Sequence, residues 1–346
     1  MESPQAPVQQ KTGNPLLVFL QRHRESSVVL VLIVICILLY FSSARTTFYS
    51  RANLQNLLLQ ISLLSVFAIG ETIVILTSGI DLSLGSLIAF SGMVLAMTAT
   101  QLNTRMYTGS AIFIAIVLTI IVVFAIGAIH ATLIHRLRLP PFVVTLASLT
   151  ILRSQSLLMN RQLPVSLSEF SFLTYLANGR LFEHSFFPIP VPVVIVGFIA
   201  LVMHLLLKYA RIGRYVYSVG SNEQATNLSG VNVGRIKLFA YGVSALLGGV
   251  AGILYAGYGG QGDPLSGTGY ELNAVAAAVI GGANLRGGQG SIAGTLLGAC
   301  LLNVILSGIN LTIANPSLWE GTVVGGVLLL AVLTTALQQR DKAKDS

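Results

Sequence analysis

The feature that most constrains this chain is a series of apolar runs, each close to the length of a membrane-crossing helix. A helix needs about 20 apolar residues to cross the hydrocarbon layer of a bilayer, which is roughly 30 Å thick. Only 9% of the 346 residues are charged and 54% are hydrophobic, whereas roughly a quarter of the residues in soluble domains are charged. A soluble fold cannot bury so much apolar surface, so the sequence predicts an all-α polytopic membrane protein.

Glycine, proline and charged residues divide the apolar sequence into about ten predicted transmembrane helices. The eighth is short, and the segment 79–85 is too polar for a lipid-facing helix, so we expect broken or re-entrant helices. The predicted domain, 26–338, is flanked by cytoplasmic tails at 1–25 and 339–346. The predicted spans are 26–43, 54–77, 84–100, 110–134, 142–159, 189–207, 238–258, 270–282, 291–312 and 319–337.

Basic residues favour alternate loops. If the N-terminus is cytoplasmic, fourteen of the 20 Lys and Arg residues fall in inside segments, five fall outside, and Arg153 lies within a span. This is the bias of the positive-inside rule, and it predicts that both termini are cytoplasmic. The same bias accounts for the net charge of +8. A nucleic-acid partner is not indicated, because the basic residues form no surface interleaved with aromatic residues. The inside loops lie near 78–84, 135–141, 208–237 and 283–290.

No pattern in the sequence indicates catalysis or ATP hydrolysis. The phosphate-binding loop of an ATPase needs a Gly-Lys pair, and the chain contains none. Among the acids Glu71, Asp81, Glu271 and Glu320, only Glu71 lies well inside an apolar run, and helix capping explains the others. A proton-coupled carrier would show ionisable groups on several helices. An ion-coupled carrier therefore remains only as an alternative of another class.

Other polar and sulfur-containing residues give weaker signals. Arg153 lies about two thirds of the way through its span, where it either reaches the outer interface or lines a polar cavity. His130 and His135 have helical spacing, but no carboxylate or thiolate joins them, so we predict no metal site. Cys36 and Cys300 lie in apolar runs and are interpreted as reduced thiols. The chain itself is predicted to hold no cofactor.

The longest inside loop, 208–237, contains SVGSNEQATNLSG, whose caps and helix formers predict a short helix. Such a helix offers a docking surface, although a plain connector is the alternative.

A weak internal repeat, an echo of three residues, also links the two halves of the chain. Because five spans separate the matching residues, the halves would form inverted repeats. The echo pairs Gly79, Asp81 and Ser83 with Gly262, Asp263 and Ser266.

Four segments together resemble the membrane permease subunits of bacterial ribose-type monosaccharide ATP-binding-cassette (ABC) importers, a group that includes ribose, arabinose and xylose permeases. They are 68–93 (AIGETIVILTSGIDLSLGSLIAFSGM), 139–154 (LPPFVVTLASLTILRS), 211–253 and 267–299. The segments keep the order and spacing of the family, and the resemblance extends over most of the chain from residue 50 to 330.

The resemblance implies a subunit of an importer in the bacterial inner membrane that moves a simple sugar by alternating access. It would pair with a second permease copy or a paralogue and receive sugar from a periplasmic or lipid-anchored binding protein. A separate cytoplasmic ATPase would bind ATP and magnesium and drive the cycle. A nucleoside, a branched-chain amino acid or a sugar-like signalling molecule remains an alternative substrate.

The resemblance also assigns candidate residues to two regions. It places the contact with the ATPase on Arg214, Gly220, Asn222, Glu223, Ala225, Ser229 and Gly230. Candidate residues of the translocation path are Glu71, Asp81, Ser83, Arg153, Tyr270 and Glu271. Glu71 departs from the family, because many relatives have an uncharged residue there. The GIDLS and GYEL segments that hold most of these residues have two interpretations, structural capping or direct contact with sugar.

Overall fold

The computed structural model describes residues 24–183 and 187–344, and side chains as far as residue 333. Most of the predicted N-terminal tail, 1–25, and residues 345–346 of the C-terminal tail lie outside the described residues. The helices are α1 Arg24–Tyr40, α2 Arg45–Phe48, α3 Arg51–Leu76, α4 Leu84–Asn103, α5 Thr108–Arg136, α6 Pro141–Met159, α7 Ser171–Asn178, α8 Val191–Tyr209, α9 Arg211–Ser221, α10 Glu223–Leu228, α11 Val233–Gly259, α12 Tyr270–Ile280, α13 Ile292–Thr312 and α14 Ser317–Lys344. The strands are β1 Val165–Ser166, β2 Arg180–Leu181, β3 Ile189–Pro190 and β4 Gln261–Gly262, and they pair antiparallel as β1 with β4 and β2 with β3.

Seven helices of the described chain are long and apolar enough to cross a membrane: α3, α4, α5, α6, α8, α11 and α13. Shorter apolar helices, α1, α12 and the first part of α14, coincide with the first, eighth and last predicted spans. The prediction of an all-α polytopic membrane protein is confirmed.

The centre of the bundle is formed by α3, α4 and α11. In its most apolar window α3 is 83% buried, whereas α5 and α6 are only 28% and 22% buried. Small residues allow the central helices to approach closely, since a Cβ at Gly70 of α3 would lie 2.9 Å from the Cα of Ser244 in α11. The outward faces of α5, α6 and α8 are therefore the surfaces that meet lipid.

The predicted inside loops meet at one end of the bundle. The Ser78 hydroxyl donates to the carbonyls of Gly220 (2.9 Å) and Arg286 (2.8 Å), and Lys237 pairs with Glu223 there. We call this the basic end. Both strand pairings lie at the other end, the strand end.

The eighth predicted span is a short, continuous helix that begins within the bundle. The chain after β4 runs alongside α4 from the strand end toward the basic end. Gly262 packs against Gly92 of α4, and Gly267 packs against Gly85 near the start of α4. There α12 begins and runs for 11 residues, which is about 16 Å, or half of the hydrocarbon thickness. The N-terminus of α12 therefore lies near the middle of the bundle, as the short eighth span predicted.

Candidate functional site

A cavity of about 400 Å³ lies between α3, α11, α12, α13 and α14 and extends inward from the strand end. Its size falls within the roughly 300–1,000 Å³ of small-molecule sites. The lining includes Asn53, Asn56, Gln60, Phe67, Tyr255, Tyr270, Asn273, Asn303, Ser307, Asn310 and Glu320. Glu320 is the one charged side chain among the lining residues that the structure describes.

Side-chain amides line two walls of the cavity with helical spacing. On α3, Asn53, Asn56 and Gln60 are three and four residues apart, and on α13, Asn303 and Asn310 are seven apart. These intervals place each set on one helix face. A side-chain amide both donates and accepts hydrogen bonds, so the two stripes suit an uncharged solute rich in hydroxyl groups.

Several of the amides have no hydrogen-bond partner among the residues that the structure describes. The side chains of Asn56, Asn273 and Asn310 make no hydrogen bond with any residue that the structure describes, whereas Asn53 donates to the carbonyl of Phe48 (2.8 Å). Asn56 and Asn310 are exposed and Asn273 is half-buried. Their unpaired amides are therefore available to water or a solute.

Aromatic rings close the inner end of the cavity. Phe67 and Tyr270 stack with centroids 6.0 Å apart and planes within 2°, and Tyr255 packs against Tyr270 at 5.3 Å. Beyond this floor, α3 is buried from Ala68 to Leu76. The cavity is therefore open toward the strand end and closed toward the basic end. Tyr270 is a predicted path residue that lines it.

Three other predicted path residues lie beneath this floor and outside the cavity lining. The Glu71 carboxylate accepts the backbone N–H of Asp81 at 3.2 and 3.3 Å. Asp81 in turn accepts from the hydroxyls of Ser83 and Ser244. All of these polar residues are completely buried. They fasten the segment between α3 and α4 to α3 and α11, and their part in a translocation path stays a prediction.

Arg153 turns into the bundle and holds the descending segment before α12. Its guanidinium donates to the carbonyls of Pro264 (2.8 Å), Ser266 (2.9 Å) and Gly85 (3.3 Å). Glu271 occupies the first turn of α12, where a carboxylate is favourable to the helix dipole. Neither Arg153 nor Glu271 lines the cavity.

The amide stripes were not among the residues predicted from the sequence, because the prediction rested on ionisable groups within the apolar runs. A usable signal exists, since amides recurring at intervals of three, four or seven residues mark one polar face of an apolar helix. Asn53, Asn56 and Gln60 have this spacing.

The loop predicted to bind the ATPase forms two helices rather than one. Asn222 has an extended backbone that ends α9, and its side chain accepts from the backbone N–H of Ala225 (2.9 Å) to begin α10. At the other end, the Ser229 hydroxyl donates to the carbonyl of Ala225, and Gly230 has a φ of 81°. The predicted residues therefore shape and cap α10, and the following helix, α11, begins at Val233 inside the predicted loop.

Charge and exposure distinguish the two faces of this region. Glu223 accepts from the Lys237 amine at 2.8 Å, which fixes α10 to α11. Arg214 of α9 is exposed, and the Leu228 side chain at the end of α10 is 82% exposed. A surface with exposed basic and apolar groups is able to bind a partner.

The inner face of α9 is joined to two other segments. The Ser78 hydroxyl bridges the carbonyls of Gly220 and Arg286, while the Gly288 N–H donates to the carbonyl of Leu76 (3.0 Å). A Cβ at Gly220 would overlap the Leu76 oxygen. We call this contact of α9, the end of α3 and the 281–291 loop the junction.

Tyr217 adds a further bond from α9 to the 281–291 loop. Its hydroxyl donates to the carbonyl of Gly290 at 3.0 Å. Burial raises the pKa of this phenol, so the tyrosine stays protonated and remains a donor. The junction is therefore held by side-chain and backbone hydrogen bonds.

Comparison with known proteins shows that the chain is similar to transport proteins. A family described as "Branched-chain amino acid transport system / permease component" matches residues 53–333. The ribose import permease protein RbsC of Escherichia coli K12 is 37% identical over 305 residues, which cover 86% of this chain and 90% of the relative. RbsC of Bacillus subtilis 168 is 33% identical over 298 residues, covering 86% and 88%. The D-allose transport system permease protein AlsC of E. coli K12 is 32% identical over 286 residues, covering 82% and 83%. No solved structure matches the chain.

Proposed function

The chain belongs to the permease family of branched-chain amino acid transport systems, and from this membership we propose that it is the membrane-spanning subunit of an ABC importer for a simple sugar. It is a multi-pass membrane protein and a transport subunit rather than an enzyme. Relatives named for ribose and D-allose import support a monosaccharide as the solute.

The amide-lined cavity carries this proposal. A sugar offers hydroxyl groups to both the donors and the acceptors of Asn56, Asn273 and Asn310. A branched-chain amino acid, which the family description suggests, carries a carboxylate whose full charge is best matched by a cationic partner. No Lys or Arg occurs among the lining residues that the structure describes. The cavity therefore favours an uncharged sugar.

The driving force comes from a separate ATPase. The chain contains no Gly-Lys pair for a phosphate-binding loop, and the exposed face of α9 and α10 is the surface that would receive such a partner. The junction connects this surface to α3 and to the loop between α12 and α13. These same helices line the cavity nearer the strand end.

This arrangement supports alternating access. In the described conformation the cavity is open to the strand end and closed at its aromatic floor. The basic end faces the cytoplasm, because its loops hold the excess of Lys and Arg. The strand end then faces a sugar-binding protein, and a second permease copy or a paralogue completes the path. Movement of α9 by the ATPase opens the floor toward the cytoplasm.

Reconstitution tests the proposal directly. Permease, ATPase and binding protein are placed in liposomes, and accumulation of radiolabelled ribose or D-allose is followed after addition of ATP. We expect ATP-dependent accumulation that falls in a double variant, Asn56→Leu with Asn310→Leu, but not in a Gln101→Leu control at the exposed end of α4.

Two outcomes would contradict the proposal. If neither ribose nor D-allose accumulates in the presence of all three components, the proposal of a simple sugar of this class is wrong. Uptake that needs no ATPase and collapses with the proton gradient would instead identify an ion-coupled carrier.

A further inference from the structure

A second cavity at the basic end has a different character from the amide-lined one. It has a volume of about 640 Å³ and lies between the α5–α6 connection and the start of α10 and α11. Its polar lining includes His135, Arg136, Arg138, Glu223 and Lys237. We call it the basic pocket.

The basic pocket holds positive charge that the protein does not neutralise. Lys237 is 8% exposed, and its amine is paired with Glu223 at 2.8 Å, so these two charges cancel. Arg136 and Arg138 are exposed, and neither side chain has a hydrogen bond or ion pair with any residue in the described part of the chain. An anion is therefore the complementary occupant.

The location of the pocket points to the membrane surface. The pocket lies at the ends of α5 and α6, the helices whose outward faces meet lipid. Three large apolar side chains flank the arginines in sequence and are exposed: Leu137 (63%), Leu139 (39%) and Phe142 (52%). Apolar side chains facing lipid beside cationic groups are typical of the depth at which phospholipid headgroups lie.

The backbone at the pocket is also unusual. Arg138 has a φ of 54°, in the left-handed region that a residue with a Cβ rarely adopts. Such conformations persist where the surrounding structure holds them, and they cluster at ligand-binding positions. Here the conformation precedes the proline pair that begins α6, which fixes the place of the arginine beside Arg136.

We propose that the basic pocket binds the headgroup of an anionic phospholipid from the surrounding leaflet. The phosphate would lie between Arg136 and Arg138, and the acyl chains would lie along the exposed apolar faces of α5 and α6. The site is separate from the amide-lined cavity and does not depend on which solute is transported.

Native mass spectrometry of the purified full chain tests this site. The protein in detergent is offered equal amounts of phosphatidylglycerol and phosphatidylcholine, and the retained lipids are counted. We expect the wild type to prefer phosphatidylglycerol. An arginine near a membrane surface contributes about a five-fold preference, so the double variant Arg136→Gln with Arg138→Gln loses about 25-fold.

Two further variants separate this effect from general charge loss and from misfolding. The double variant Arg105→Gln with Arg161→Gln removes two exposed charges at the strand end and should keep the preference. Replacement of Arg136 and Arg138 by lysine keeps the charge and should retain most of it.

An unchanged preference in the glutamine variant of the pocket overturns the proposal. If that variant instead loses co-purification with the ATPase, the pocket belongs to a protein partner. Displacement of phosphatidylglycerol by millimolar inorganic phosphate would show that the site takes a free anion, which also contradicts a lipid site.

Discussion

Replacement of Gly220 by alanine is expected to break the junction. A Cβ there would overlap the Leu76 oxygen and lie 2.5 Å from the Gly288 nitrogen, and these two backbone atoms are hydrogen-bonded to each other. No side-chain rotation relieves a clash with backbone. Overpacking costs about 1–3 kcal/mol, and loss of the hydrogen bond adds about 0.5–1.5 kcal/mol. Alanine regains about 0.5–1 kcal/mol through helix propensity, so the free energy of unfolding falls by about 2 kcal/mol.

Gly197 in α8 provides the matched control, because nothing lies within 4 Å of a Cβ at that position. Gly197→Ala should therefore stabilise the protein by about 0.5–1 kcal/mol through helix propensity alone. Thermal unfolding in detergent measures stability, and ATP-driven uptake in liposomes measures coupling. We expect Gly220→Ala to lower both. If the two alanine variants unfold at the same temperature and transport equally fast, the junction is neither tight nor part of the coupling route.

Substitutions at Glu71, Arg153 and Glu223 test three further polar contacts. Glu71→Gln keeps an acceptor oxygen, so uptake should persist and the free energy of unfolding should change by less than about 1 kcal/mol. Glu71→Leu leaves a buried N–H without an acceptor and should lower the free energy of unfolding by about 1–3 kcal/mol in thermal unfolding. Loss of uptake in Glu71→Gln would favour a proton path. Arg153→Lys cannot reach three carbonyls with one ammonium group, so the free energy of unfolding should fall by about 1–3 kcal/mol. The control Arg161→Lys, at an exposed position, should leave the unfolding temperature unchanged. Glu223→Gln weakens an ion pair in which Lys237 is largely buried and Glu223 is half-exposed. A double-mutant cycle between these two residues should therefore give a coupling energy of about 1 kcal/mol. A coupling energy of zero would contradict the ion pair.

The membrane-spanning part of the fold could be predicted because lipid leaves the backbone few choices. In hydrocarbon every backbone polar group must be bonded within the protein, so an apolar run of sufficient length becomes a helix. Even the short α12 was expected from its length. The division of the predicted inside loop into α9 and α10 was not, because it depends on the extended backbone of Asn222 and on the capping bond that its side chain accepts from the Ala225 N–H. The start of α11 at Val233 depends on a similar cap, provided by Asn232.

The site was less predictable than the fold, because sequence does not show where a polar side chain points. Glu71 inside an apolar run has the same appearance whether it lines a path or, as observed, accepts a backbone N–H. Arg153 left two interpretations open for the same reason, and its three carbonyl partners lie more than 60 residues away in sequence. Such contacts depend on the descending segment before α12, which hydropathy alone does not locate.

The continuous helix α3 connects the amide-lined cavity to the junction. This helix runs without interruption for 26 residues, about 39 Å. Asn53, Asn56 and Gln60 near its beginning line the cavity, and Leu76 at its end belongs to the junction. The 281–291 loop reaches the same junction and connects α12 to α13, which form other walls of the cavity. We therefore expect a displacement of α9 to move several cavity walls at once, which is how the proposed ATPase would change access to the cavity without touching the solute.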